Sequence, residues 1–112
     1  MIPSKNRIGK SNFEKIIQSS HLLASPHFSV RISKISSSTD PHVAVVVSKK
    51  ISTKAVTRNF IKRRVRSILE EILDILDPHV RLIVFPKKES DTLPFISLKK
   101  ELRNLIQPCC LS

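Results

Sequence analysis

A long amphipathic segment between residues 54 and 76 constrains the fold more than any other feature of the sequence. Its apolar residues recur every three or four positions, which places them along one side of an α-helix. These residues are Ile61, Val65, Ile68, Ile72 and Leu76. The dipeptide Asp77-Pro78 ends the helix. Such a stripe must be buried against a second layer of structure, so the segment predicts a packed, layered fold.

Other periodic segments supply this second layer. A short helix is predicted over residues 12–19, begun by a capping box at Ser11 and Glu14, and a last helix is predicted from Phe95 until Pro108 stops it. Three strands are predicted, over residues 28–33, 43–47 and 80–85. The second strand is apolar nearly throughout, so we expect it to be central, covered on both faces, and paired with the first strand in a hairpin.

The order of these elements is α-β-β-α-β-α, which predicts an α+β fold, an α/β sandwich in which helices pack on a small mixed sheet. The length of 112 residues suits a single domain over 1–112. Within it we expect a basic N-terminal arm over 1–10 and a flexible tail over 107–112. The longest aliphatic run has five residues, 43–47, far short of a membrane span, and no secretory signal is visible.

The two cysteines of the chain, Cys109 and Cys110, are adjacent and cannot supply a disulfide framework, which favours a cytoplasmic setting. The four histidines lie at the edges of predicted elements without metal-ligand spacing. We therefore expect no intrinsic catalysis by a pair of histidines.

Charge is distributed unevenly along the chain. Residues 1–69 hold 14 basic and 2 acidic side chains, a net charge of +12, whereas residues 70–112 carry a net charge of −1. An uneven excess of this kind predicts a polyanionic partner, nucleic acid first and an anionic membrane surface second. No acidic residue lies between Pro41 and Leu69, although ordinary surface helices mix charges of both signs.

The long helix carries a basic face beside its apolar stripe. Its members are Arg58, Asn59, Lys62, Arg63 and Arg66. A solvated charged surface is one interpretation. However, the cations crowd the N-terminal half of the helix and the acidic residues its C-terminal half, against the helix dipole, at a cost of about a few tenths of a kcal/mol each. This placement favours phosphate binding over the solvated surface.

Two segments resemble the bacterial ribonuclease P protein component. That family has a strand ending V-S-K-K and a helix with the pattern A-V-x-R-N-R-I-K-R-x-x-R. The matching residues are Val47-Ser48-Lys49-Lys50, Ala55-Val56, Arg58-Asn59, Ile61-Lys62-Arg63 and Arg66. The resemblance extends in order over nearly the whole chain and implies a sandwich with a left-handed β-α-β crossover, a ribosomal protein S5 domain 2-like fold.

The resemblance also implies a function. The chain would be an accessory subunit of the ribonuclease P endoribonuclease, whose RNA subunit removes the 5′ leader of precursor tRNA by metal-assisted hydrolysis. Mg²⁺ would be held by the RNA subunit and the substrate, not by the protein. The expected partners are the ribonuclease P catalytic RNA and precursor tRNA, with no membrane partner and no obligate protein partner.

The family pattern assigns two groups of residues. The RNA-binding residues are Lys49, Lys50, Lys54, Arg58, Asn59, Lys62, Arg63 and Arg66. The cleft that holds the leader is formed by Phe13, Ile17, Phe28, Val30 and Arg31. Phe60 stands where the family has a second arginine, and we expect it to pack or stack instead of binding phosphate.

Two alternatives of other classes stay open at this point. A structural RNA-binding protein of the ribosomal type would use the same basic helix without any role in cleavage. A membrane-surface protein would need the apolar face of that helix free for lipid, whereas the stripe is expected to pack on the sheet.

Overall fold

A computed structural model describes residues 4–35 and 39–110 of the chain. The helices of this part are α1 (Lys10–Ser19), α2 (Ala55–Ile72) and α3 (Phe95–Cys110). The strands are β1 (His21–Ala24), β2 (Phe28–Lys34), β3 (His42–Val45) and β4 (Val80–Pro86). Short 3-10 turns cover Ser4–Asn6 and Leu73–Ile75. The predicted α+β class and the order of the predicted elements are confirmed, with β1 as an additional strand.

The four strands form one mixed sheet in the order β1-β2-β4-β3. β2 is antiparallel to both β1 and β4, and β3 is parallel to β4. The prediction that β3 is central and forms a hairpin with β2 is therefore wrong. Parallel neighbours cannot be joined by a tight turn, and α2 is the crossover that connects them. β4 returns between β2 and β3, which leaves β3 at the edge.

The N-terminal segment covers the outer edge of β3. Arg7 forms a parallel bridge with Val43, and the Ile8 amide donates to the Val43 carbonyl at 3.3 Å. The Asn6 side chain, 3% exposed, donates from Nδ2 to the Pro41 carbonyl at 2.8 Å. The described part of the predicted basic arm is thus docked on the sheet, because the edge of β3 has backbone groups to pair.

Three predicted helix boundaries also need correction. The long helix, predicted to continue to Leu76, ends as α2 at Ile72 and is followed by the 3-10 turn over Leu73–Ile75. α1 begins at Lys10 with Gly9 as its N-cap, so Ser11 lies within the helix and not at the predicted cap position. α3 continues through Pro108 to Cys110, into the predicted flexible tail. A proline in the last turn removes only one helical hydrogen bond, and the burial of Ile106 holds the preceding turn on the core.

The main core lies between one face of the sheet and the apolar sides of α2 and α3. The sheet contributes alternate residues of its strands, among them Phe28, Val30, Val43, Leu82 and Val84. The helices contribute Ile61, Val65, Ile68, Leu69, Ile72, Leu98, Leu102 and Ile106. The predicted stripe of α2 is buried as expected. This burial fixes the rotation of α2 about its axis and hence the direction of its basic face.

The carboxylate of Glu101 on α3 fastens the turn between β1 and β2. Its Oε2 accepts from Ser25 Oγ at 2.6 Å and from the His27 amide at 2.8 Å, and its Oε1 lies 2.8 Å from His27 Nδ1. Burial would raise the pKa of Glu101, but the hydrogen bonds from Ser25 and His27, with the charge of His27, outweigh it and hold this pKa below its ordinary value. The ionised carboxylate therefore stabilises the fold.

We expect Glu101→Gln to lower the free energy of unfolding at pH 7 by about 1–3 kcal/mol, since bonds to a charged acceptor are lost. Because the folded pKa is lowered, the carboxylate contributes stability above its unfolded pKa and loses it as the pH falls through the folded value. The difference in the free energy of unfolding between the variant and the parent protein should therefore shrink below about pH 4.3. Urea unfolding at several pH values measures it, with Glu14→Gln, an exposed carboxylate on α1, as control. A gap that is constant with pH would contradict this role of the charge.

Candidate RNA-binding surface

The outward side of α2 brings several predicted RNA-binding residues together. Asn59, Arg63 and Arg66 are exposed, and Lys62 is half-buried. With Val56 they line a shallow depression of about 440 Å³. No acidic side chain lines this depression. A concave surface with three cations and an amide can hold the phosphates of a nucleic-acid backbone. Four of the five residues predicted for the basic face line this depression, and from here on the name basic face refers to these four: Asn59, Lys62, Arg63 and Arg66.

The remaining predicted cations lie at the start of α2. Lys49, Lys50 and Lys54 are exposed in and after the connection that leaves β3, and Lys54 is the N-cap of the helix. Arg58 is half-buried and donates from Nη1 to the Ser52 carbonyl at 2.9 Å. Arg58 therefore holds the connection against the first turn of α2, and replacing it would disturb structure as well as any RNA contact.

Arg64 is not among the predicted RNA-binding residues, and its contacts in the structure are internal. Its guanidinium donates from Nη1 to the carbonyls of Ser90 at 3.2 Å and Asp91 at 3.1 Å, and from Nη2 to that of Leu93. These bonds fasten the connection between β4 and α3 to α2. The connection contains Glu89 at a positive φ of 71°, so its path is unusual for a residue other than glycine.

Phe60 lies beside this anchor. Its side chain is 42% exposed, and the Arg64 Cζ is 5.2 Å from the centre of the ring. The ring and the guanidinium thus form a cation–π pair on the surface of α2. Phe60 therefore stacks on a neighbouring cation where the family pattern has an arginine.

The predicted leader cleft is corrected in part by the structure. Phe28 and Val30 are fully buried in the main core and cannot line a cleft. Side chains alternate along a strand, so Arg31 lies on the opposite face of the sheet from these two. Arg31 and Ile17 are half-buried. The side chain of Phe13 lies outside the described part of the structure.

The face that carries Arg31 contains residues that the sequence interpretation missed. Arg31 pairs with Ile83 across the β2–β4 ladder, and Arg81 and Phe85 lie two positions to either side of Ile83. α1 packs on β2, and Ile16 and Ile83 are both buried although neither belongs to the main core. We call Arg31, Arg81 and Phe85 the open sheet face. The antiparallel register, which the sequence does not reveal, is needed to find the last two.

Two polar atoms lie buried near the open sheet face. Within residues 4–35 and 39–110, His42 Nδ1 and Arg81 Nε have no hydrogen-bond partner. The two residues are opposite each other in the β3–β4 register. A buried donor without a partner is costly, so this end of the face can accept a hydrogen bond from an added group or give one to it.

No group of three or more His, Cys, Asp or Glu side chains among the described residues could hold a metal ion. None of the described helices has the length and hydropathy needed to cross a membrane.

The fold and these surfaces define a small α+β protein with a basic helix beside an open sheet face, built to bind a polyanion. Comparison with known proteins identifies the family. A family model described as Ribonuclease P matches residues 2–110. A ribonuclease P protein component from Pseudanabaena is 29% identical over 107 residues, which is 95% of this chain and 92% of the relative. One from Mycobacterium avium is 30% identical over 112 residues, covering 96% of this chain and 93% of the relative.

The solved structures agree on the fold. A Staphylococcus aureus RNase P protein mutant with defective mRNA degradation activity aligns with a TM-score of 0.82 at 23% identity, over 92% of this chain and 86% of that chain. The chain belongs to the ribonuclease P protein family. Its role is that of a subunit of ribonuclease P in tRNA 5′ processing.

Arg64 and Arg66 should respond differently to loss of the guanidinium group. Arg64→Lys keeps the charge but loses the planar guanidinium whose two nitrogens reach three carbonyls, so we expect the melting temperature to fall by several degrees. Arg66→Lys, on the exposed basic face, should leave the melting temperature unchanged. Thermal unfolding of both variants measures the difference. If Arg64→Lys melted at the same temperature as the parent protein, the Arg64 hydrogen bonds would contribute nothing to stability.

Proposed function

We propose that the RNA partner of this chain is the catalytic RNA of ribonuclease P, which it contacts through the basic face and the cations before it. One observation carries this proposal. The part of α2 before Glu70 contains no acidic residue, and its exposed cations line a depression in which no carboxylate neutralises them. Lys49, Lys50 and Lys54 extend the positive surface beyond the start of the helix. Each phosphate that these cations neutralise releases counterions and adds to affinity.

The chemistry in this proposal belongs to the RNA. Mg²⁺ is held by the RNA subunit and the substrate and assists hydrolysis of one phosphodiester bond, which frees the 5′ leader of precursor tRNA. The protein binds and positions the RNA. We propose a cytoplasmic location, where its RNA partners are made and processed.

The 5′ leader lies, in our proposal, on the open sheet face beside α1. Arg31 and Arg81 are cations that can pair with backbone phosphates, and the half-buried ring of Phe85 can stack on an unpaired base. Ile17 on α1 would form the opposite wall, and Phe13 stays a predicted contact residue. A surface that combines cations with an aromatic ring suits a single-stranded leader of variable sequence.

Cleavage of labelled precursor tRNA at low Mg²⁺ tests the proposal. We expect release of the 5′ leader to require both the protein and its cognate ribonuclease P RNA. Cleavage by the protein without that RNA would place the chemistry in the protein. Intact RNA binding without any stimulation of cleavage would favour a structural RNA-binding protein of the ribosomal type.

The affinity for the catalytic RNA should fall steeply as the salt concentration is raised. Each neutralised phosphate makes the slope of log K against log salt concentration more negative by up to about 0.9. Lys62→Ala and Arg66→Ala should each reduce this slope by up to about one and leave the melting temperature unchanged. Filter binding at several salt concentrations measures the slope. A slope near zero for the parent protein would exclude the basic face as a phosphate-binding surface.

Arg31→Ala should weaken binding of precursor tRNA to the holoenzyme more than binding of leaderless tRNA, because only the precursor reaches the open sheet face. Arg103→Ala removes the same charge from an exposed position on α3, on the other side of the sheet, and should affect neither ligand. Competition binding with the two tRNAs gives both affinities. An equal loss for both tRNAs in Arg31→Ala would remove Arg31 from the leader site.

A further inference from the structure

Phe60 is an aromatic side chain in an unusual place for a packed protein. It is 42% exposed on α2, whereas Phe28 is fully buried and Phe85 and Phe95 are half-buried. Among the phenylalanines whose side chains the structure describes, Phe60 is the exposed one. Part of the ring is therefore accessible to a ligand.

One face of the Phe60 ring is in contact with the Arg64 guanidinium. The Arg64 guanidinium over the ring is itself fixed by the carbonyls of Ser90, Asp91 and Leu93. The cation therefore cannot swing away, and the ring loses little conformational freedom when a second group stacks on it. Preorganisation of this kind lowers the entropic cost of binding.

The surroundings of Phe60 indicate the chemistry of its ligand. Arg63, one helical turn along, and Asn59, its neighbour in sequence, both line the depression of the basic face. Val56, one turn before Phe60 and 80% exposed, lines the same depression. A ligand bound here meets cations and an amide on one side and an apolar, aromatic row on the other. A nucleotide combines these two characters, since its phosphate is anionic and its base is flat and apolar on its faces.

We propose that Phe60, backed by Arg64, is a stacking platform for an unpaired base of the RNA whose phosphates occupy the basic face. This inference rests on the proposed function and adds a second mode of contact to it. A base in a regular duplex is covered on both faces, so the platform selects single-stranded or bulged RNA over duplex RNA.

Tryptophan fluorescence can test the platform directly, because the chain contains no Trp and no Tyr. Phe60→Trp places a single fluorophore at the site. We expect a single-stranded oligoribonucleotide to quench it as binding saturates, and inorganic polyphosphate, which has no bases, to bind without quenching. Ile75→Trp is the matched control, because Ile75 is 40% exposed and lies in the 3-10 turn after α2, next to Asp74 and away from the basic face. Its fluorescence should stay constant with either probe.

Affinity measurements complete the test. Stacking of one base contributes about 1–3 kcal/mol, so Phe60→Ala should bind the single-stranded oligoribonucleotide about five- to 150-fold more weakly. Phe60→Leu keeps an apolar side chain over Arg64 and should lose the same affinity with an unchanged melting temperature. Phe60→Trp should retain it. All variants should keep the salt dependence of the parent.

Unchanged affinity in both Phe60→Ala and Phe60→Leu would overturn the platform, as would saturable binding to Phe60→Trp without quenching. These outcomes are distinguishable from failure of the proposed function. Protein-dependent release of the leader, with no quenching of the Phe60→Trp variant by bound oligoribonucleotide, would refute the platform alone. Quenching without any release of the leader would support the platform and refute the role in cleavage.

Discussion

The parallel pairing of β3 with β4 is the constraint on which the rest of the structure depends. Two parallel neighbours need a long crossover, and α2 fills it by packing its apolar stripe on the sheet. Once the stripe is buried, the rotation of the helix is fixed and the basic face must point outward. The same pairing sends β3 to the edge of the sheet, where the segment around Arg7 and Ile8 covers it. Fold and candidate RNA-binding surface therefore follow from one topological choice.

The cations of α2 divide into two groups that charge alone does not distinguish. Arg58 and Arg64 donate to backbone carbonyls of neighbouring connections and hold those connections on the helix. Lys62, Arg63 and Arg66 line an outward depression. The planar fork of arginine suits the first task because it can satisfy several carbonyls at once. A count of the cations on a helix therefore overestimates how many phosphates the helix can bind, because some of these cations are bonded within the fold.

The sequence predicted the features that depend only on the spacing of apolar residues within one segment. The helices, the buried stripe and the outward direction of the basic face follow from residues spaced three or four apart, as in Ile61 and Val65. The pairing of strands was not predictable in this way. A run such as that from Val43 to Val47 is apolar both in a central strand and in an edge strand that another segment covers. The hairpin with β2 was wrong for this reason.

The same limit explains the errors at the candidate site. Phe28, Val30 and Arg31 are neighbours in sequence, but alternation along β2 puts the first two in the core and the third on the open sheet face. Arg81 and Phe85 join Arg31 only through the β2–β4 register. The role of Arg64 depends on a connection 26 to 29 residues away. Residues of one helix face can thus be grouped from the sequence alone. Residues that meet across strands can be grouped only once the topology is known, and the open sheet face is made of such residues.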